Sequence, residues 1–177
     1  MKKKRLREEQ KQHKEGIIAV VIAVSILLVV LFFLLGLPLI RGARMLPAYV
    51  EKIDLDAVSA VLLQNPRYPT MLKPEPVEAV LEGEAAEEML SRFIAVSDTL
   101  GYDGKEYVMG GLWTCFMRVD YANTAVFFYF TEDYVAVEQN STYYRFTPKT
   151  NAGREMYAEW YADAVSYIDA AAGKTGR

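Results

Sequence analysis

The sequence predicts an α+β protein: a single N-terminal transmembrane helix, then a small domain with a four-stranded antiparallel meander packed by two helices on one face. Three observations lead to this prediction. Residues 17–40 form an uncharged apolar run, residues 111–147 are rich in aromatic and β-branched side chains, and amphipathic helical patterns flank that region at 84–100 and 155–171. A run of this length predicts a membrane span, and alternating apolar residues predict strands.

The same patterns divide the chain into five parts. We expect a basic cytoplasmic tail at 1–16, a transmembrane helix at 17–40, a membrane-proximal helix and proline-rich connector at 41–76, an extracytoplasmic α+β domain at 77–171, and a flexible C-terminal tail at 172–177.

The apolar run at 17–40 has Ser25 as its only polar side chain. At about 1.5 Å rise per residue it exceeds the roughly 30 Å core of a bilayer. A cleaved signal peptide is the alternative, but its apolar core is usually about 7–15 residues long and is followed by a small-x-small site. Here Arg41 follows the run directly. We therefore expect an uncleaved anchor that contacts the lipid bilayer through residues 17–40.

The charges on the two sides of this run are unequal. Residues 1–16 carry seven cationic and three anionic side chains, whereas the rest of the chain carries 13 cationic and 20 anionic ones. Lys and Arg near a membrane span favour the cytoplasmic side. We therefore expect a single-pass protein of the cell membrane with a cytoplasmic N-terminus and an extracytoplasmic C-terminal domain. The acidic domain argues against nucleic acid as a partner, because nucleic acid favours clustered Lys and Arg.

The segment between the apolar run and the aromatic region is predicted to contain two helices, a strand and a proline-rich connection. Residues 55–64 are predicted to be helical, because apolar side chains follow helical spacing after Asp54, a typical N-cap. The proline-rich residues 66–76 are either a linker or a loop packed along the domain. Residues 77–81 are predicted to form a strand, and residues 84–100 a helix.

The aromatic region is predicted to fold as a meander, because its strands are separated by two-residue connections that suit hairpins. The predicted strands are residues 112–121, 124–131, 134–139 and 142–147. One face of the first strand is expected to pack against the helices, and its residues are Trp113, Cys115, Met117 and Val119. Residues 155–171 are predicted to form the closing helix.

The opposite face of the meander is the candidate partner-binding surface. Aromatic rings with polar tips beside arginine are favoured at contacts with proteins and glycans. The alternatives are that the connector and the proline-rich segment cover this face, or that the face curls into a second small core. The possible partner-binding residues are Phe116, Arg118, Tyr134, Tyr143 and Arg145.

Motifs for catalysis or metal binding are weak in this sequence. The single histidine, His13, lies in the N-terminal tail, which excludes Ser-His-Asp and Cys-His arrangements in the domain. The single cysteine, Cys115, is expected to be a buried and inert thiol. Asp103 and Glu106 lack the remaining ligands of a calcium loop. We expect a protein that is not an enzyme and has no cofactor or metal; an envelope enzyme with a carboxylate-based site is the alternative.

The overall layout resembles known envelope proteins of bacteria. A short basic tail that ends in Gly16, followed by a long apolar helix and a sheet domain, looks like a type IV pilin-like subunit, although Val21 stands where such subunits usually carry glutamate. The order of elements in the domain is similar to that of the NTF2-like domains of single-pass secretion-system subunits and of small α+β domains anchored to bacterial membranes. These resemblances imply binding or assembly with a protein or cell-envelope partner.

Overall fold

The computed structural model describes residues 2–65, 77–106, 114–121 and 124–173. The chain divides into two compact units, residues 1–41 and 42–177. Helix α1 spans Lys2–Leu31, a π-helical turn spans Phe32–Gly36, helix α2 spans Leu37–Val50, and a 3₁₀ turn spans Leu55–Ala57. The remaining elements are β1 (Ala60–Asn65), β2 (Val77–Leu81), α3 (Glu84–Ser97), β3 (Leu100–Glu106), β4 (Cys115–Asp120), β5 (Ala125–Phe130), β6 (Val135–Gln139), β7 (Thr142–Pro148) and α4 (Asn151–Ala171).

The first unit contains the apolar helix that the sequence predicts. Side chains of residues 16–35 are all exposed in this unit. The helical stretch Gly16–Val50 is long and apolar enough to cross a membrane, and a signal sequence near the N-terminus meets the same criterion. The structure therefore agrees with one N-terminal apolar helix that could serve as a span or as a signal sequence.

The described residues of the second unit form one antiparallel sheet of seven strands in the order β2-β1-β4-β5-β6-β7-β3. The prediction of an α+β domain with an antiparallel meander is confirmed, since β4 to β7 are the four predicted strands in chain order. The prediction that the sheet has four strands is wrong, because β1, β2 and β3 extend it on both sides. The proline-rich segment 66–76 lies outside the described residues.

The prediction of a helix at residues 55–64 is wrong, because this segment forms a 3₁₀ turn followed by strand β1. Asp54 caps only the 3₁₀ turn, accepting a hydrogen bond from the backbone N–H of Asp56. The chain then extends into β1, which pairs with β2 on one side and β4 on the other. Helical spacing of apolar residues was a coincidence here, because Val61 and Leu63 are fully buried at strand spacing. The sheet therefore includes residues from the segment predicted as a connector.

Strand β3 was not predicted. Its sequence has two glycines and three charged residues, a composition with low strand propensity. It forms because it pairs along β7, with a bulge between Tyr102 and Gly104. Gly104 has φ of 144°, a conformation that costs glycine little and other residues more.

One face of the sheet packs against helices and forms the core. Cys115, Met117 and Val119 are fully buried there, which confirms the predicted face for these three residues; Trp113 lies outside the described residues. Helices α3 and α4 are the two predicted helices, and a third segment, the end of α2, joins them. Leu46 is buried in the same core, and the ring of Tyr49 lies 6.4 Å from that of Phe128. The prediction of two packing helices is therefore corrected to three.

Candidate functional site

The five residues predicted to form a partner-binding surface lie on the sheet face opposite the helices. The register places Arg145 beside Ala136, Ala136 beside Tyr129, and Tyr129 beside Phe116. The ring of Phe116 lies 5.3 Å from that of Tyr129 and 5.7 Å from that of Phe127. The face therefore carries an aromatic row across neighbouring strands.

The charged groups of this face have partners in the same chain. Arg118 donates to Asp120 at 2.9 Å, and Arg145 donates to Asp103 at 3.0 Å. The guanidinium of Arg145 also lies 5.3 Å from the ring centroid of Tyr134. These intramolecular contacts occupy hydrogen-bond donors of both arginines that the sequence analysis assigned to partner binding.

The five predicted residues differ in their exposure. Tyr143 is only 6 % exposed, so its ring is unsuited to a contact surface. The side chains of Phe116, Arg118, Tyr134 and Arg145 are partly buried. The face is thus a half-buried surface rather than an open one.

A more concave site lies where β5 and β6 separate. Strand β4 pairs with all of β5, over six residue pairs, but β5 pairs with β6 only at Tyr129–Ala136 and Phe130–Val135. Strand β6 continues beside β7 as far as Gln139. The two strands therefore diverge beyond Tyr129, and a gap opens between Phe127 of β5 and Glu138 of β6.

This gap forms a cleft, which we name the β5–β6 cleft, with a volume of about 470 Å³. Phe127 and Tyr129 of β5 line one side, and Glu138 of β6 lines the other. The remaining lining comes from α2 and the following turn and from the β4–β5 connection, and it includes Tyr49, Lys52, Asp54 and Tyr121. Aromatic walls with a few polar groups are typical of ligand sites of this size.

Glu138 is held in place from three directions. The hydroxyls of Tyr129 and Tyr143 both donate to its Oε2 atom, each at 3.1 Å. The hydroxyl of Tyr49 donates to the backbone carbonyl of Glu138. Glu138 lies beyond the last residue of β6 that pairs with β5. Hydrogen bonds to a carboxylate are stronger than those between neutral groups. The carboxylate is therefore fixed in position before any ligand arrives.

The tyrosines around Glu138 remain protonated donors at neutral pH. Burial raises the pKa of Tyr143 to about 12, and the hydrogen bond to Glu138 contributes to this shift. Burial also raises the pKa of Tyr129, with the negative charge of Glu138 as the next cause. The pKa of Tyr49 is raised for the same two reasons. An ionised phenol beside a carboxylate would be repelled, so each raised pKa preserves the hydrogen bonds.

The turn after α2 supplies the other polar groups of the cleft. The backbone N–H of Asp54 donates to the hydroxyl of Tyr121 at 3.2 Å, which joins this turn to the end of β4. Lys52 lies close by, with its Nζ atom 4.5 Å from the ring centroid of Tyr49. Among the described residues, the cleft is lined by one cationic and two anionic side chains: Lys52, Asp54 and Glu138.

The cleft was not predicted from the sequence. Tyr49 and Glu138 are 89 positions apart, and no spacing rule connects such residues. The one available signal was Asp54, which the sequence marks as a capping residue and not as part of a site. Cys115 is fully buried, and burial raises its pKa to about 12, so its thiol is not nucleophilic at neutral pH.

The described side chains form no cluster of metal ligands. At residue 14 and within residues 16–65, 77–105, 114–121 and 124–173, no group of three or more His, Cys, Asp or Glu side chains could hold a metal ion. Asp103, considered for a calcium loop, pairs with Arg145 instead.

Comparison with protein-family models, with curated proteins and with solved structures finds no match to this chain.

Proposed function

We propose that this chain is a single-pass, membrane-anchored binding module of the bacterial cell envelope. Residues 17–40 cross the membrane, the N-terminus is cytoplasmic, and the folded unit lies outside. The module is not an enzyme: it binds an envelope ligand or partner in the β5–β6 cleft. The observation that carries this proposal is the cleft itself. It combines aromatic walls with the carboxylate of Glu138, which two tyrosine hydroxyls hold in place.

The anchor and its direction rest on length and charge. The apolar helix is long enough to span a bilayer, and the seven cationic residues before it outnumber Arg41, Arg44 and Lys52 after it. Basic residues are retained on the cytoplasmic side during insertion. The anchor would raise the local concentration of the module near its envelope partners, so a low intrinsic affinity would be sufficient for binding.

Orientation can be measured with two epitope tags on one full-length chain, one before Met1 and one after Arg177. We expect both tags on a single uncleaved band. Protease added outside right-side-out vesicles should remove the C-terminal tag and spare the N-terminal tag. Detergent-opened vesicles are the control, in which both tags should be digested. A band lacking the N-terminal tag would indicate a cleaved signal peptide, and protection of the C-terminal tag would reverse the orientation.

Binding in the cleft can be tested by photo-crosslinking in intact cells. We expect the photo-reactive residue p-benzoylphenylalanine to form a discrete adduct when it replaces Phe127 and none when it replaces Met156. These two residues are a matched pair, because their exposures are 39 % and 40 % and Met156 lies on α4, away from the cleft. Intact-mass measurement of the purified chain detects both protein and small-molecule adducts.

The same experiment separates the cleft from the sheet face that the sequence predicted. A third variant carries the photo-reactive residue in place of Tyr134, which packs against Arg145. An adduct from this position and none from position 127 would move the site to the sheet face. Absence of an adduct from both positions would contradict the proposed function.

A carboxylate-based envelope enzyme is the second candidate, and one observation favours it. Asp54 and Glu138 line the same cleft, as acid pairs do in glycoside hydrolases. Each carboxylate also has a structural contact, Asp54 with the N–H of Asp56 and Glu138 with two phenols. Release of new reducing ends from envelope glycans by the wild type, and not by Glu138→Gln, would favour the enzyme.

A further inference from the structure

We infer that the β5–β6 cleft recognises a primary ammonium group on its ligand, with Glu138 as the acceptor and the surrounding aromatic rings as the walls. This inference rests on the proposed function and adds the chemical class of the ligand to it. Three features of the cleft carry the inference: an acceptor oxygen that is still available, rings that already hold a cation, and the net charge of the lining.

The acceptor is the second carboxylate oxygen of Glu138. Its Oε2 atom accepts from Tyr129 and Tyr143. Among residues 14–65, 77–105, 114–121 and 124–173, no donor contacts the Oε1 atom, although Glu138 lines the cleft. A carboxylate can accept about four hydrogen bonds. A donor on a ligand therefore meets an oxygen whose position is already set, so binding costs little ordering of this side chain.

The aromatic lining suits a cation. Tyr49, Tyr121, Phe127 and Tyr129 all line the cleft, and the negative faces of aromatic rings attract ammonium groups. The chain provides its own example, since the ammonium of Lys52 lies 4.5 Å from the centroid of the Tyr49 ring. Lys52 is exposed, so this internal cation can move aside.

The charge of the lining selects against anions. Lys52 is opposed by Asp54 and Glu138, and the chain beyond residue 16 has 13 cationic and 20 anionic residues. Such a field raises the local concentration of cations and repels anions. A primary ammonium fits better than a quaternary one, because only the primary group can donate to Glu138 Oε1.

The test measures binding of small probes to the full-length chain in a neutral polyoxyethylene detergent by isothermal titration calorimetry. The cationic probe is N-acetyl-lysine amide, and its neutral match of similar size is N-acetyl-norleucine amide. Cellobiose and N-acetyl-glutamate amide represent neutral glycans and anions. We expect the lysine probe to bind most tightly, and its affinity to fall as salt is added.

Two substitutions give opposite expected results. Glu138→Gln should weaken binding of the lysine probe about tenfold or more, because a hydrogen bond to a charged acceptor is lost. Glutamine still offers an oxygen to Tyr129 and Tyr143, so the fold is retained. Lys52→Ala should tighten binding roughly two- to fivefold, because a competing positive charge is removed. Met156→Ala is the control and should leave the affinity unchanged.

Each other outcome overturns the inference. Equal binding of the lysine and norleucine probes would exclude charge recognition, and preferred binding of cellobiose or the glutamate probe would assign a different ligand class. Weaker binding of the lysine probe by Lys52→Ala would show that Lys52 does not compete with a cationic ligand for the Tyr49 ring. If no probe binds while the crosslink from position 127 persists, the ammonium inference fails and the binding module stands. If no probe binds and the crosslink from position 127 is also absent, the proposed function fails as well.

Discussion

Replacing Trp160 with alanine is expected to lower the free energy of unfolding of the domain by about 3–5 kcal/mol, the usual range for removing a large aromatic side chain from a core. Trp160 is fully buried. Its ring centroid lies 4.6 Å from that of Phe130 and 5.1 Å from that of Phe93, so it links the sheet to α3. Its indole N–H also donates to the backbone carbonyl of Met89 at 3.1 Å. Alanine would leave a cavity and would remove this hydrogen bond between the two helices.

This effect can be measured by urea unfolding of the full-length chain in mild detergent, followed by near-ultraviolet circular dichroism. Tyr167→Ala is the matched control, because Tyr167 lies on the same helix and is 38 % exposed; its effect should stay within about 0.5 kcal/mol. Trp160→Phe keeps most of the ring and should fold even if the alanine variant does not. A loss below about 1 kcal/mol for Trp160→Ala would show that α4 does not anchor the core.

Raising the pH above 9 is expected to destabilise the domain, with the buried thiol of Cys115 as a main cause. Burial raises the pKa of Cys115 from 9.0 to about 12. The folded state therefore keeps the thiol neutral while the unfolded chain ionises it. The stabilising effect is complete below pH 9 and is lost as the pH rises from 9 to 12. At 1.36 kcal/mol per pKa unit, the loss from this thiol reaches about 4 kcal/mol by pH 12.

The contribution of Cys115 can be separated from those of the tyrosines by comparing the wild type with Cys115→Ala from pH 7.5 to 11. The alanine variant should be less stable at pH 7.5 because of its smaller side chain, but its stability should decline less, by about 2–3 kcal/mol over this range. Tyr157, whose pKa burial also raises, keeps contributing in both proteins. Identical slopes for the two proteins would mean that Cys115 is accessible to water.

The meander shows how far local pattern can predict this fold. Strict alternation placed Cys115, Met117 and Val119 on one face, and all three are fully buried. The two-residue connection at Asn140 and Ser141 makes a tight turn with positive φ at both positions. Each strand of the meander is stabilised mainly by burial of one face. The alternation of apolar residues within a short segment is therefore sufficient to predict that face.

Strands β1 and β3 were not predicted, because their formation depends on pairing with distant segments of the chain. The pattern after Asp54 fits a helix and a strand equally, and pairing of β1 with β2 and β4 decides in favour of the strand. Strand β3 has little strand propensity of its own and is stabilised by pairing along β7. Backbone hydrogen bonds between segments far apart in the chain leave no periodic trace in either segment.

Local patterns were sufficient to predict the apolar N-terminal helix, the antiparallel meander, the two helices α3 and α4, and the buried face of β4. Long-range pairing adds the outer strands to the described sheet, and it leaves the part of β5 that precedes Tyr129 unpaired with β6. The β5–β6 cleft depends on that divergence, because it brings Tyr49, Lys52 and Asp54 beside Glu138. The physical reason is one of range: side-chain periodicity acts over a few residues, whereas a cleft depends on how separate segments meet in space.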